Sequence, residues 1–114
     1  MISSELIKGS LKTIVLKVIK EEGPMHGYAI TQKVEELTQG KIKLTYGAVY
    51  PILHKLETEK ILVTATEIYN NRTRIHYALT PKGQSLIKDL IVELNDYINA
   101  LQIIVQPKPG LNHA

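Results

Sequence analysis

One stretch decides the fold of this chain: Leu44–Glu57, with the sequence LTYGAVYPILHKLE. Thr45 has the short hydroxyl side chain of a helix N-cap and precedes an apolar-periodic run. Four apolar residues then recur at spacings of three and four, which places them on one face of a helix: Val49, Ile52, Leu53 and Leu56. Pro51 lies inside this helix, where it removes one backbone hydrogen bond and predicts a kink or a tightening after Tyr50.

The opposite face of this helix is small near its start and polar or basic further on. It carries Tyr46, Ala48, Tyr50, His54 and Lys55. Such a face suits insertion into a DNA major groove, which is about one helix wide. An ordinary amphipathic surface helix is the alternative, and this segment alone favours it.

Two helices are predicted upstream of this stretch. The first covers residues 3–22 and ends at Gly23-Pro24. The second covers residues 27–38, with Ile30, Val34 and Leu37 facing inward. Lys41–Leu44 alternates like a very short strand. The buried face of the first helix is predicted to contain Ile7, Leu11, Ile14, Val15 and Val18.

A β-hairpin is predicted downstream. Residues 61–69 are rich in β-branched side chains, Asn70-Asn71 is a turn pair, and residues 73–79 return as a second strand. One face of the second strand is apolar, whereas Arg74 and His76 lie on the other and Arg72 lies at the tip. The alternative explanation for these charges is protection of an exposed sheet edge against aggregation.

The last predicted helix begins at Thr80-Pro81, with Thr80 as N-cap and Pro81 in the first turn, and ends near Ile104. At about 25 residues it is roughly 37 Å long, more than so small a domain needs for its own core. We therefore expect a symmetric homodimer rather than a helix that folds back on its own domain. The dimer seam repeats at spacings of three and four and widens at Ile98: Ile87, Leu90, Leu94, Tyr97, Leu101 and Ile104.

Composition excludes several classes of protein. The 114 residues include no cysteine, which excludes disulfides and thiolate sites and fits a reducing cytoplasm. No apolar run reaches the roughly 18 residues that span a bilayer, and a signal-peptide layout is absent. The histidines lack metal-ligand spacing, and no phosphate loop or nucleophile elbow is found. We expect a cytoplasmic protein that is not an enzyme and has no cofactor, metal or membrane partner.

Charge is unevenly distributed along the chain. Residues 41–82 hold seven lysines and arginines against three glutamates, while the whole chain has a net charge of +3. A basic middle indicates a polyanionic partner. Together with the order helix, helix, short strand, helix, hairpin, it predicts a mainly α-helical fold with a small β-hairpin, a winged helix-turn-helix. We divide the chain into a DNA-binding domain (1–80), a C-terminal dimerisation helix (81–105) and a disordered tail (106–114).

Three motifs stand out in the chain: GPMHGY at Gly23–Tyr28, YGAVYPILHKLE at Tyr46–Glu57, and RIHYALTPKG at Arg74–Gly83. Through these motifs the chain resembles the PadR family of bacterial transcriptional regulators, in its smaller subgroup with a single C-terminal helix. The resemblance covers about residues 5–85. It implies a homodimer, usually a repressor, that binds a palindromic operator. In some relatives a small aromatic or cationic molecule relieves repression.

Contacts to double-stranded DNA are expected from two regions, and phosphate contacts should outnumber base contacts. Tyr46 and Tyr50 offer hydroxyls to phosphates or bases, whereas His54 and Lys55 are placed at the backbone. The remaining expected contacts are Tyr28, Lys43, Thr45, Ala48, Arg72 and Arg74.

Three departures from the family bear on function. Many members have Thr where this chain has Ala48, the wing is less basic, and Trp and Phe are absent, which leaves Tyr97 as the aromatic residue of the seam. A winged-helix module that binds protein instead of DNA is the alternative.

Overall fold

The computed structural model describes residues 1–108, which form five helices and one hairpin. The helices are α1 (Ser4–Lys8), α2 (Leu11–Glu22), α3 (Gly27–Leu37), α4 (Tyr46–Thr58) and α5 (Pro81–Val105), and the strands are β1 (Leu62–Tyr69) and β2 (Arg72–Leu79). The prediction of a winged helix-turn-helix with a long last helix is confirmed. Most of the predicted tail, residues 109–114, lies outside the described residues.

The core is built from the apolar faces that the spacing predicted. Val15 and Leu16 of α2, Ile30 of α3, and Val49 and Leu53 of α4 are fully buried. Ile87 of α5 is also fully buried, so the first turns of α5 complete the core of the same chain. Burying apolar surface of this kind is the main favourable term in folding.

The prediction of a single helix over residues 3–22 is wrong. The segment is divided into α1 and α2 at Gly9-Ser10, where the Ser10 hydroxyl donates to the Ile7 carbonyl at 3.0 Å. A serine that bonds the preceding turn competes with the helical backbone pattern, and glycine lowers helix propensity. The buried face nevertheless continues across the break, from Ile7 to Leu11.

Two predictions around α3 are also wrong. Leu37 faces outward and is 62% exposed, because α3 ends there and its last turn leaves the core. Lys41–Leu44 is not a strand. The Lys41 N–H donates to the Thr38 carbonyl in a turn, the Ile2 N–H donates to the Lys41 carbonyl, and the Thr38 hydroxyl accepts from the Ile42 N–H at 3.0 Å. A single backbone bond to a separate segment is too little to form a ladder.

Pro51 was expected to kink or tighten α4 after Tyr50, but it does not interrupt the helix. The helix runs from Tyr46 to Thr58 as one element, and the Thr45 hydroxyl caps it by accepting from the Ala48 N–H at 3.2 Å. Pro51 is exposed, and Gly47, four residues earlier, has no side chain. Packing of the buried face outweighs the loss of one hydrogen bond.

The two strands form an antiparallel hairpin in which Leu62 pairs with Leu79 and Tyr69 with Arg72. Asn70 and Asn71 have φ of 51° and 60°, the left-handed backbone of a tight hairpin turn, as predicted. Only the base of the hairpin packs on the core. There Tyr77 is buried and exchanges two backbone bonds with Met25, at 2.8 and 3.1 Å, which fastens the hairpin to the segment between α2 and α3.

The last helix approaches the hairpin base closely. Thr80 caps α5 by accepting from the Gly83 N–H, while its own hydroxyl lies 2.6 Å from the Lys60 carbonyl. Beyond Leu94 the apolar side chains of α5 are exposed, and the molecule measures 67 Å along its longest axis. Among residues 1–108 no helix combines the length and apolar character needed to cross a bilayer.

We expect Gly83→Ala to destabilise the fold by roughly 1–3 kcal/mol or more, because overpacking against backbone cannot be relieved by a side-chain rotation. A Cβ at this position would lie 2.3 Å from the Ile61 carbonyl oxygen. Urea unfolding measures the change. Gly9→Ala is the matched control: its Cβ meets nothing within 4 Å, so the free energy of unfolding should stay equal or rise slightly. Equal stability of the two variants would contradict the close approach.

Candidate nucleic-acid interface

Three rings line the exposed face of α4. Tyr46 and Tyr50, which are 45% and 46% exposed, have ring centroids 5.7 Å apart, and the Tyr50 and His54 rings lie 6.3 Å apart and nearly parallel. Their spacing of four residues places them one above the other along the helix. The result is a ridge of two phenol rings and one imidazole that runs along α4 beside the buried face of Val49 and Leu53.

The start of α4 is held against α3 by a glycine. A Cβ on Gly27 would lie 2.3 Å from Cε1 of Tyr46 and 3.2 Å from Cδ1 of Leu53. Only hydrogen fits at this position, and the Tyr46 ring therefore rests on the first turn of α3. Gly27 of the HGY motif thus allows the close approach of α3 and α4.

An opening lies beside the start of α4. It is a groove of about 600 Å³ between α1 and the segment that leads into α4, lined mainly by apolar side chains such as Ile7, Leu11 and Leu44. Lys43 and Ala48 border this groove, whereas Tyr46 borders a separate cleft with Tyr28 and Arg74.

The outer half of the hairpin carries the basic groups. Arg74 lies with its guanidinium carbon 4.6 Å from the centroid of the Tyr69 ring, a cation–π arrangement. Its Nη1 is 3.2 Å from Nε2 of His26, the residue just before α3. Arg72 lies next to the turn and is exposed. Arg74 therefore brings the outer hairpin close to the start of α3, in addition to the backbone bonds between Tyr77 and Met25.

His26 is the N-cap of α3, and its Nδ1 accepts from the Ala29 N–H at 3.3 Å. Its ring lies 5.8 Å from the ring of His76, whose Nε2 is 3.4 Å from a carboxylate oxygen of Glu67. Burial lowers the pKa of His26 below its usual 6.5, and the Arg74 guanidinium and His76 lower it further. The imidazole is therefore held in its neutral form around neutral pH.

We expect the protein to lose stability as the pH falls from about 7.5 to about 5.5, because the unfolded chain takes up a proton on His26 more readily than the folded chain. Stability is retained above the ordinary histidine pKa and lost below it. Thermal melts across this range measure the effect. His26→Asn keeps a capping side chain and should show a shallower pH dependence; an unchanged dependence would exclude His26 as the source.

The structure brings some predicted site residues together and separates others. Tyr28, Tyr46 and Arg74 line one cleft, whereas His54 and Lys55 lie further along α4. Sequence reasoning missed the roles of His26 and Tyr69. His26 contacts Arg74, which lies 48 residues away in the sequence, and Tyr69 contacts Arg74 from the facing strand of the hairpin. Within residues 1–108, no group of three or more His, Cys, Asp or Glu is positioned to hold a metal ion.

The predicted seam on α5 divides into two parts. Ile87 is buried in the core of its own chain, so we remove it from the predicted dimer contacts. Leu90 and Leu94 are half-buried. The distal residues form an exposed apolar stripe: Tyr97, Ile98, Leu101 and Ile104.

Comparisons with known proteins agree with this architecture. The sequence pattern of the "Transcriptional regulator PadR-like family" matches residues 15–89. The transcriptional regulator Rv3488 of Mycobacterium tuberculosis is 31% identical over 68 residues, which are 60% of this chain and 61% of that protein.

Solved structures show the same fold. A transcriptional regulator from Clostridium thermocellum superposes with a TM-score of 0.79 at 24% identity, over 93% of this chain and all of the other. A PadR family regulator from Eggerthella lenta gives 0.77 at 19% identity, over 91% of this chain and 88% of the other. Both likenesses extend beyond the helix-turn-helix and include most of α5.

Proposed function

Because this chain belongs to the PadR-like family of transcriptional regulators, we propose that it is a homodimeric repressor that binds a palindromic DNA operator. The observation that carries the proposal is the common placement of Tyr46 on α4 and Arg74 on the hairpin, which border one cleft. A helix for the major groove and a basic wing beside it are the two contacts that a winged helix-turn-helix makes with DNA.

The ring ridge of α4 is the part that we assign to the major groove. The hydroxyls of Tyr46 and Tyr50 reach base edges or phosphates, and the exposed Lys55 lies one turn further, at the backbone. Thr45 and Lys43 precede the helix and are assigned to phosphates. Ala48 brings a methyl group, which can contact a thymine methyl but cannot donate a hydrogen bond.

The second copy is assigned to the distal half of α5. An exposed apolar stripe along a helix is costly in water and is covered in a symmetric dimer by the same stripe of a second chain. This supports the division into residues 1–80 for DNA and 81–105 for dimerisation, with Ile87 as a core residue of the first unit.

Relief of repression by a small aromatic or drug-like effector is part of the proposal. A cleft of about 230 Å³ between the α1–α2 junction and α5 is lined by Tyr97 and Glu93. An aromatic ring and a carboxylate suit a cationic aromatic ligand. The cleft borders the apolar stripe, so a second copy would enlarge it and a bound ligand would act on the dimer geometry.

The test is a fluorescence-anisotropy titration of the protein with the DNA upstream of its own coding region. We expect binding that weakens steeply with salt, because phosphate contacts release counterions. The preferred site should be an inverted repeat with half-sites about 10 base pairs apart. A folded dimer that binds neither this DNA nor an arbitrary duplex at low salt would contradict the proposal.

A protein-binding winged-helix module is the second candidate. Ile68 and Ile75, on the face of the hairpin opposite Arg74, are exposed and favour a protein partner. In that case Arg72→Ala/Arg74→Ala should leave partner binding intact, and DNA binding should be absent.

A further inference from the structure

A cleft of about 320 Å³ separates the start of α3, the start of α4 and the outer half of β2. Its polar lining consists of the His26 imidazole, the Tyr28 and Tyr46 hydroxyls, the Thr73 hydroxyl and the Arg74 guanidinium, and none of its lining residues is acidic. The nearest carboxylate on the strand pair is Glu67, which faces Arg74 in the register and has an oxygen 3.4 Å from His76.

Two hydrogen-bond donors meet in this cleft when the proton of His26 is on Nε2, the tautomer that the helix cap requires. Because Nδ1 of His26 accepts from the Ala29 N–H, the neutral ring carries its proton on Nε2. The atom beside Nε2, at 3.2 Å, is Nη1 of Arg74, and a guanidinium only donates. Both N–H groups therefore face the same place, and they cannot satisfy each other.

An oxygen with several lone pairs that lies within hydrogen-bond distance of both nitrogens would accept from the two donors at once. A negatively charged oxygen suits them best, since Arg74 is cationic and charge-assisted bonds are stronger than neutral ones. The cleft opens between α4 and the wing, where the proposed duplex backbone would run.

We propose that this cleft binds one DNA backbone phosphate, with a single phosphate oxygen accepting from His26 Nε2–H and from Arg74 Nη1–H. The proposal rests on the proposed function and deepens it, because it makes His26 a DNA contact. His26 thus has two roles: Nδ1 caps α3, and Nε2 binds the phosphate. The Tyr69 ring holds the Arg74 guanidinium from the other side.

The depressed pKa of His26 agrees with this arrangement. A neutral ring keeps Nδ1 free to accept from Ala29 and still presents Nε2–H to the cleft. Protonation of the ring would put a hydrogen on Nδ1, and this N–H would then face the Ala29 N–H at the start of α3.

The competing arrangement has the proton on Nδ1, with Nε2 accepting from Arg74. It would satisfy Arg74 within the protein but leave the Ala29 N–H without its cap. The two arrangements are distinguished by the imidazole ¹⁵N chemical shifts of the free protein at about pH 7.5, with the His26 signals assigned by their loss in His26→Asn. We expect the Nε2–H tautomer. The Nδ1–H tautomer would overturn the proposal, whether or not DNA binds.

The binding test uses an arbitrary 24-base-pair duplex, of roughly two helical turns, and a salt titration by anisotropy. His26→Asn keeps a capping side chain but is too short to place a donor beside Arg74. We expect it to weaken binding about tenfold, the size of a lost hydrogen bond to a charged group. Arg74→Ala should weaken binding at least as much and reduce the salt slope by about 0.9.

The double variant separates one shared phosphate from two independent contacts. If both side chains hold the same oxygen, His26→Asn/Arg74→Ala should bind no more than about twofold more weakly than Arg74→Ala, because the two losses are not additive. Lys88→Ala, on α5, removes a positive charge elsewhere and should bind like the wild type. Thermal melts confirm that each variant is folded.

The outcomes separate this inference from the proposed function. A folded wild type that does not bind the duplex at low salt overturns both. If the wild type binds and His26→Asn binds equally well, only the phosphate site is overturned. Fully additive losses in the double variant also overturn the shared phosphate.

Discussion

Leu101→Glu is expected to convert the protein from a dimer into a monomer and to abolish operator binding at concentrations that saturate the wild type. Leu101 is 39% exposed in the single chain and lies on the apolar stripe of α5, next to Ile98 and Ile104. In the proposed dimer a carboxylate at this position would be buried against the apolar stripe of the second copy, and burying an unpaired charge is costly.

The monomer should bind DNA more weakly because a dimer contacts the two half-sites of the operator at once. Once one half of a dimer is bound, the second half binds at a high effective concentration, which raises affinity by about 10²–10⁴. A monomer loses this gain, although its α4 and wing are unchanged. Light scattering should give the 12.8 kDa mass of a single chain, and anisotropy should show the loss of affinity.

Val92→Glu is the matched control for this experiment. Val92 is exposed on α5 but lies on the side opposite Leu94, so the same change should leave the dimer and its DNA affinity intact. A Leu101→Glu variant that remains a dimer would remove the stripe from the interface. A monomeric variant with full operator affinity would contradict the bivalent binding.

Arg72→Ala/Arg74→Ala is expected to lower DNA affinity by about one to two orders of magnitude at physiological salt and to reduce the salt slope by roughly 1.8, two phosphate contacts in all. Both arginines are exposed on the outer hairpin, away from the core. The loss should be similar on operator and arbitrary duplexes, because phosphate contacts carry no sequence information.

Lys20→Ala/Lys88→Ala is the control for the double arginine variant, since it removes the same charge from exposed positions on α2 and α5. Melting temperatures of both double variants should stay close to that of the wild type. An arginine variant with unchanged affinity and slope would show that the wing makes no phosphate contacts and would favour the protein-binding alternative.

Local rules predicted the elements that depend on neighbouring residues. Thr45 and Thr80 are capping residues, Asn70-Asn71 is the tight turn, and the α4 face of Val49, Leu53 and Leu56 is buried, as spacing indicated. Caps, turns and periodicity act over at most about two helical turns, so they are visible in the chain itself. The family resemblance, which the family match over residues 15–89 confirms, was visible in the sequence for the same reason, because its motifs are local.

The sequence by itself determined the order of the elements, the apolar faces and the family of this protein. The tertiary structure alone decided that Ile87 belongs to the core, that Leu37 faces outward, and that Lys41–Leu44 is not a strand. It also decided that Arg74 meets His26, 48 residues away, and that Tyr46 rests on Gly27. Such contacts depend on how separate elements pack against each other, and no local spacing specifies that distance or angle.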